Sequence, residues 1–300
     1  MDTWFNISGW LLSSLAAGGN VFVIIVIVGT HRLHCSTNWL ILSLAVADFG
    51  VGVVVYPWAY ICDNCLHCNL NVYMAFYWFF VHSSATNLCA LTWDRYTATV
   101  HPFKYPSCTT ARQPARAVLL VWIGPSIISL SLLLGMYLTN STTGLKILRL
   151  IGVSAFSITA CILLLYGVTR VLFVALKKAR QDSVSLSHLR SERQLDSQND
   201  DETFRESTLP RRHKRHSTAF FLIAIVMFFL GCHVAVNYLV LCITFSCHVS
   251  HIPPRIVTCL LVINSAANPI VYAFLKPDIK AEFKKIIRRR KPRADNRTSV

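Results

Sequence analysis

The stretch Asp94-Arg95-Tyr96 closes one long apolar run, and Asn268-Pro269-Ile270-Val271-Tyr272 lies inside another. The first run extends from about Leu70 to Trp93 without a charged residue. An acid and an arginine then occur together at its end, where an uncompensated charge in lipid would cost several kcal/mol. The second motif places an Asn and a Pro near the middle of its run, which breaks a helix where packing must satisfy the backbone again. Both features indicate helices that cross a membrane.

Composition predicts one membrane domain. Of the 300 residues, 54% are hydrophobic and 14% are charged, whereas charged residues make up about 25% of soluble domains. A helix needs about 20 apolar residues to cross a bilayer. The chain has seven such stretches: Trp10–Val28, Trp39–Ile61, Val72–Trp93, Ala117–Leu138, Leu150–Leu176, Ala219–Phe245 and Ile256–Leu275. We therefore predict an all-α membrane protein, a seven-transmembrane helix bundle over residues 10–276.

The basic residues predict the orientation of the bundle. Of the 29 Lys and Arg, only Lys146, Arg149 and Arg255 lie on the same side as the N-terminus. Cytoplasmic loops carry an excess of Lys and Arg, so we expect a multi-pass plasma-membrane protein with residues 1–9 outside the cell. The net charge of +15 is therefore not read as a sign of nucleic-acid binding. No basic segment precedes the first span, so we expect no cleaved signal peptide.

Two kinds of covalent modification are predicted outside the cell. The sequons at Asn6 and Asn140 should carry glycan, and the one at Asn296 should be silent in the cytoplasmic tail. Five cysteines lie in the outer loops: Cys62, Cys65, Cys68, Cys242 and Cys247. Disulfides form on that side of a membrane, although spacing alone does not give their pairing. The alternative is a zinc site in which the first three cysteines act with His67.

Two cytoplasmic segments differ from the spans in composition. Residues 181–209 are rich in Ser, Asp, Glu, Arg and Gln, which predicts a disordered loop. Residues 277–300 begin with Pro277 and form a basic tail. Apolar residues recur there at helical spacing, opposite Lys and Arg: Ile279, Phe283, Ile286 and Ile287. This pattern predicts a short amphipathic helix on anionic membrane lipids; the alternative is a merely solvated tail.

Six motifs in order, one in each expected helix except the sixth, resemble those of rhodopsin-like (class A) G-protein-coupled receptors. Besides the two quoted first, these are Gly19-Asn20, Leu44-Ala45-Val46-Ala47-Asp48 and the single residues Trp122 and Tyr166. The resemblance covers Gly19 to Phe283 and implies a receptor that signals to a heterotrimeric G protein. Arrestin and receptor kinases are further partners that it implies. No metal-ligand spacing or nucleophile–base set occurs in the spans, so we do not expect an enzyme.

Two sets of residues receive roles from this resemblance. The residues implied in G-protein coupling and activation are Asp94, Arg95, Tyr96, Tyr166, Asn268, Pro269 and Tyr272. An allosteric sodium site falls to Asp48, Ser84, Asn264, Ser265 and Asn268. An acid in the middle of an apolar span needs a partner or a cation in any case. The alternatives are a protonated Asp48 without an ion, and an Asp-Arg pair that only ends a helix. No other cofactor is expected.

Several positions depart from the family pattern. Leu70 replaces the usual cysteine at the top of the third span, the second outer loop is short, and Ile158 replaces a proline. This combination is similar to the branch of melanocortin, cannabinoid, lysophospholipid and adenosine receptors. Cys232-His233-Val234-Ala235 replaces C-W-x-P in the sixth span, which puts the usual kink and switch in doubt. Arg215 replaces the acid that often pairs with the motif arginine, which predicts raised basal activity.

The ligand is expected between the outer halves of the third, fifth, sixth and seventh spans. Tyr77 occupies the position of the aspartate of amine receptors, so a monoamine lacks its counter-ion. Candidate pocket residues are aromatic or weakly polar: Trp58, Tyr77, His82, His233, Asn237 and Tyr238. They favour a lipid-like, neutral or anionic small molecule. One rival interpretation is a receptor-like partner protein that does not signal. Another is a channel or transporter, which would need charged or polar rings or inverted repeats; Asp48, as the only mid-membrane acid, argues against it.

Overall fold

The computed structural model describes residues 3–64, 67–100, 112–139, 141–196, 226–242, 244–245 and 254–290. In this part of the chain the helices are α1 Thr3–Gly29, α2 Ser36–Val53, α3 Ala59–Asn64, α4 Leu70–Val100, α5 Arg112–Leu138, α6 Thr142–Arg149, α7 Phe156–Asp196, α8 Val226–Cys242, α9 Pro254–Leu275 and α10 Pro277–Arg290. A short 3-10 turn, His31–Leu33, lies between α1 and α2. The predicted all-α fold is confirmed.

Each of the seven predicted spans contains one of these helices or a continuous pair of them. Four helical stretches are long and apolar enough to cross a membrane by themselves: Thr3–Gly29, Thr37–Asn64, Ala115–Leu138 and Thr143–Val174. Several helices extend past the predicted spans. The 27 residues of α1 correspond to about 40 Å, more than the ~30 Å hydrocarbon core.

Two spans contain a π-helical segment where the sequence predicts only a continuous apolar run. In the second span, Val54–Trp58 is π-helical and contains Pro57. Proline has no backbone N–H to donate, so the ladder is altered there. The Tyr73 hydroxyl of α4 donates to the Val55 carbonyl (3.0 Å) and satisfies part of the disturbed backbone. The other segment, Leu150–Ala155, joins α6 to α7.

Close helix contacts in the bundle depend on small residues. A Cβ atom at Gly52 would lie 2.8 Å from the backbone nitrogen of Ala17, so α2 and α1 approach backbone to backbone. A Cβ at Gly19 would lie 3.1 Å from Pro269 of α9. Such small-residue contacts drive helix association in membranes, where lipid tails are as apolar as the side chains. Trp122 of α5 adds a polar contact, since its Nε1 donates to Ser43 Oγ of α2 (2.9 Å).

The segments at the two ends of the bundle answer two questions left open by the sequence. Cys62 and Cys68 form a disulfide, so neither can act as a thiolate ligand of zinc, while Cys65 lies outside the described residues. The predicted amphipathic helix is present as α10. Its Ile279 is fully buried, and Phe283 stacks on Phe22 of α1 with 4.7 Å between ring centroids.

The first part of the loop predicted to be disordered, residues 181–209, is helical in the structure. Helix α7 continues to Asp196, so residues 181–196 are helical. They contain neither Gly nor Pro, and each added residue extends an existing ladder by one hydrogen bond without a new nucleation cost. Residues 197–209 lie outside the described part of the chain, as do Asn140, Arg215 and Asn296.

Candidate functional site

Asp48 is the centre of a polar cluster in the middle of the bundle. Its carboxylate is 0% exposed. Ser84 Oγ of α4 donates to Oδ1 (2.7 Å), and Ser265 Oγ of α9 donates to the same oxygen (2.8 Å). Asn268 Nδ2 donates to Oδ2 (2.6 Å). One carboxylate therefore connects α2, α4 and α9.

The donor set around Asp48 fits a small hard cation. Oxygen atoms of carboxylates, hydroxyls and amides are the ligands that such ions prefer. Three of the four expected partners hydrogen-bond to Asp48, and the fourth, Asn264, is buried one turn before Asn268 on α9. The described part of the chain shows no salt bridge to Asp48. A buried carboxylate without a cationic partner is costly, so a proton or a cation has to balance it.

Arg95 lies at one end of the bundle near polar groups from α2, α4 and α9 and near Lys276. The neighbouring Asp94 is buried and accepts a hydrogen bond from Thr37 Oγ1 of α2 (2.9 Å). Arg95 interacts electrostatically with Tyr272 of α9 and with Lys276. Arg95 is therefore near the tyrosine with which the sequence groups it.

Lys276 adds a second cation at the same end of the bundle. It lies between α9 and α10, and its Nζ donates to Asn38 Oδ1 of α2. Burial, followed by the positive charge of Arg95, lowers the pKa of Lys276 to about 8. The residue thus connects the start of α10 to α2 beside Arg95.

The two tyrosines of the predicted activation set are in different environments. Tyr272 is 5% exposed and faces the interior, whereas Tyr166 on α7 is 53% exposed. The structure therefore does not bring Tyr166 into the core beside Tyr272. Instead, Arg170 interacts with Tyr166 and lies within hydrogen-bond range of Tyr96.

A second polar cluster occupies the interior between α4, α7 and α8. His233 Nδ1 and Ser157 Oγ are hydrogen-bonded (3.0 Å), and Asn237 Nδ2 donates to Ser157 Oγ (3.0 Å). His82 of α4 is 0% exposed and interacts electrostatically with His233. Three candidate pocket residues are thus brought together, and Ser157 joins them.

The remaining candidate pocket residues lie nearer the end of the bundle opposite Arg95. Trp58 packs on Tyr73 and Phe76, with ring centroids 6.0 and 5.6 Å apart, and Tyr77 packs edge-on against Tyr73 at 5.9 Å. Tyr238 on α8 is 37% exposed.

Comparison with known proteins agrees with this geometry. The family model described as "7 transmembrane receptor (rhodopsin family)" matches residues 19–272. The chain belongs to the rhodopsin family of seven-transmembrane receptors. It is a G-protein-coupled receptor and not an enzyme, as the motifs predict.

Similar proteins include receptors named for amines. The receptor is 28% identical to trace amine-associated receptor 9 of Mus musculus over 95% of this chain and 84% of that protein. It is 26% identical to octopamine receptor beta-2R of Chilo suppressalis over 91% of this chain and 77% of that protein. Dopamine receptor 2 of Drosophila melanogaster is 35% identical over 40% of this chain and 23% of that protein. These matches do not test the predicted likeness to the branch of melanocortin, cannabinoid, lysophospholipid and adenosine receptors.

Sequence reasoning about the receptor missed several polar partners. Four residues form hydrogen bonds between elements: Ser157 with His233, Thr37 with Asp94, and Asn38 with Lys276. One signal was available, because Ser154 and Ser157 are three residues apart on one face of an otherwise apolar stretch. Both are buried. The other three gave no comparable signal, since they lie at helix ends where polar residues are common.

Proposed function

We propose that this receptor lies in the plasma membrane with its N-terminus outside the cell and responds to a neutral or lipid-like small molecule. The ligand would bind in the half of the bundle opposite Arg95. The observation that carries this proposal is the lining of that half. The candidate pocket residues there are aromatic or neutral and polar, and the described outer halves of α4, α7, α8 and α9 contain no acid.

An ammonium group in this region would lack a carboxylate. Tyr77 occupies the position of the aspartate of amine receptors, and its ring packs against Trp78 at 5.0 Å. Burying an unpaired charge is far more costly than burying a neutral polar group. Asp63, at the end of the second span, is exposed, so water screens its charge.

An amine is the second candidate ligand, because the relatives named above are receptors for trace amines, octopamine and dopamine by name. Asp63, at the end of the bundle opposite Arg95, would then be the acid that pairs with the ammonium group of the ligand. The two candidates differ in the charge of the ligand, and a matched set of compounds separates them.

On the inner side, we propose that Arg95 and Tyr272 transmit the signal to the G protein. Tyr166 would have to rotate inward to join them, since it is now 53% exposed. Arrestin and receptor kinases are proposed as further partners, with the serines of 181–209 as phosphorylation sites. The alternative is a partner protein that does not signal, and agonist-independent coupling in cells distinguishes the two.

We also propose a sodium ion at Asp48 as an allosteric modulator. The support is a fully buried carboxylate with three hydroxyl or amide groups within 2.8 Å of its oxygens. Sodium would balance the charge there and link α2, α4 and α9 in one arrangement.

The ligand experiment uses cells that express the receptor with a promiscuous G-protein reporter. Neutral lipids, lipid acids and monoamines are screened at equal concentrations, and Arg95→Ala serves as the coupling-deficient control. A response to neutral or acidic lipids that is absent in the control supports the proposal. A response confined to amines, abolished by Asp63→Asn, contradicts it.

Orientation has its own experiment. Asn6 lies in α1 and its Oδ1 accepts a hydrogen bond from Tyr56 (3.2 Å), which leaves the amide nitrogen available for glycan. We expect that Asn6→Gln combined with Asn140→Gln abolishes the mobility shift on endoglycosidase treatment. A shift that requires Asn296 would reverse the proposed orientation.

A further inference from the structure

His82 is an unusual residue for the interior of this bundle. It lies in the middle of α4, is 0% exposed, and neither ring nitrogen has a hydrogen-bond partner among the described residues. Trp78 stacks on one side of its ring (5.5 Å between centroids), and Phe156 of α7 meets it edge-on (4.9 Å). Aromatic side chains therefore hold the imidazole in place, while its two nitrogens have no hydrogen-bond partner in the described part of the chain.

Other unpartnered polar atoms belong to the same group of helices. Asn237 donates to Ser157 and to the His233 carbonyl (2.8 Å), yet its Oδ1 has no partner within the described part of the chain. The hydroxyl of Ser154 is also buried without one. Ser154 lies near the end of the π-helical segment Leu150–Ala155, three residues before Ser157, and Asn237 lies one turn from His233 on α8. Several hydrogen-bonding atoms are thus buried in one part of the interior.

Buried polar atoms without partners are rare in native proteins because they cost stability. A neutral imidazole offers one donor and one acceptor, an amide oxygen accepts, and a hydroxyl does both. The described parts of α4, α7 and α8 carry no Asp, Glu, Lys or Arg at this depth. A charged ligand group would therefore remain unpaired here, whereas a neutral group that both donates and accepts would satisfy these atoms.

We propose that His82, together with Ser154 and Asn237, binds the polar end of the ligand, and that this end is a neutral hydroxyl or amide group. The site rests on the ligand class proposed above and makes it specific. Ser157 fixes the orientation of the His233 ring, which stacks on Phe229 with 4.2 Å between centroids. The apolar body of the ligand would then lie along the aromatic side chains of Trp78 and Tyr77.

The first measurement uses the purified full-length receptor without ligand. If the nitrogens of His82 lack partners, His82→Phe removes buried polar atoms, keeps a stacked ring and raises Tm by roughly 2–4 °C. His82→Leu is the second variant, in case the larger phenyl ring does not pack. If ordered water already satisfies these nitrogens, both variants have an unchanged or lower Tm, and the proposal is overturned.

The second measurement uses three probes of nearly equal size: 2-phenylethanol, 2-phenylethylamine and ethylbenzene. We expect the alcohol to raise Tm of the wild type more than the other two, by linkage. His82→Phe should remove this difference. Ser129→Ala, which removes a buried hydroxyl on α5 outside the cluster, should retain it.

The outcomes separate this inference from the proposed function. An advantage of the alcohol that survives in His82→Phe overturns the site but leaves the neutral ligand class standing. A larger shift with the amine overturns both. Equal responses to the three probes, including none from any of them, overturn the site, because a hydroxyl would then gain nothing in the interior.

Discussion

Replacement of Asp48 by Asn tests whether a sodium ion belongs to the centre of the bundle. The carboxylate accepts hydrogen bonds on both oxygens, from Ser84 and Ser265 on one and from Asn268 on the other. An asparagine retains a single acceptor oxygen. If that oxygen stays with the two serines, its NH₂ group faces the NH₂ group of Asn268 at what was a 2.6 Å contact. The Asn268 amide then has to turn over to restore a donor–acceptor pair.

The magnitude of the expected effect follows from these contacts and from linkage. Loss of one charge-assisted hydrogen bond costs about 1.5–3 kcal/mol, but removal of the buried charge offsets a similar amount. We therefore expect a small change in Tm without sodium. In the wild type, sodium at ten times its Kd adds about 1.4 kcal/mol, which corresponds to roughly 3–6 °C in Tm. Asp48→Asn should remove this increase because the amide carries no charge to hold the ion.

The assay is thermal unfolding of the purified receptor over a range of sodium concentrations, with choline added to keep the ionic strength constant. Ser84→Ala is the intermediate case: it removes one oxygen but keeps the carboxylate, so the sodium response should move to higher concentration. Equal sodium responses of the wild type and Asp48→Asn would refute the reasoning. A protonated carboxylate without an ion would then be the correct description.

Three further predictions concern packing, basal activity and pH. Gly52→Ala should lower the free energy of unfolding by about 1–3 kcal/mol, since the added Cβ would lie 2.8 Å from a backbone nitrogen. Gly18→Ala, whose Cβ would have nothing within 4 Å, should raise it slightly, and the Tm values of the two variants are compared. Arg215→Glu should lower agonist-independent signalling at equal surface expression, because the family pattern pairs this position with Arg95, and the substitution would replace a repelling charge by an attracting one. Unchanged signalling would contradict this. Burial lowers the pKa of Lys276 to about 8 in the folded protein, from 10.5. The cost of burying its charge destabilises the folded state fully below pH 8 and is relieved as the pH rises towards 10.5, so Tm should rise over this range. Lys276→Gln should flatten that rise.

The sequence by itself determined the class of this protein and most of its architecture. Apolar stretches of about 20 residues can only be helices in a bilayer, because each backbone group must find its partner within the segment. The order of the motifs around Asp48, Arg95 and Asn268 was sufficient to indicate the receptor family. The basic amphipathic pattern after Pro277 likewise predicted the helix α10, on membrane lipids; the contact of its Phe283 with Phe22 of α1 came from the structure.

Only the tertiary structure decided which side of each spanning helix faces the interior. Ser265 and Asn268 reach Asp48 from 217 and 220 residues away along the chain. Tyr166, which its motif groups with Arg95 and Tyr272, is instead 53% exposed. Packing likewise brings His82 of α4 and Ser157 of α7 close to the same residue, His233 of α8. The physical reason is that lipid is as apolar as the core. Hydrophobic periodicity therefore does not distinguish the lipid face of a helix from its buried face, and the packing of the other helices sets its rotation.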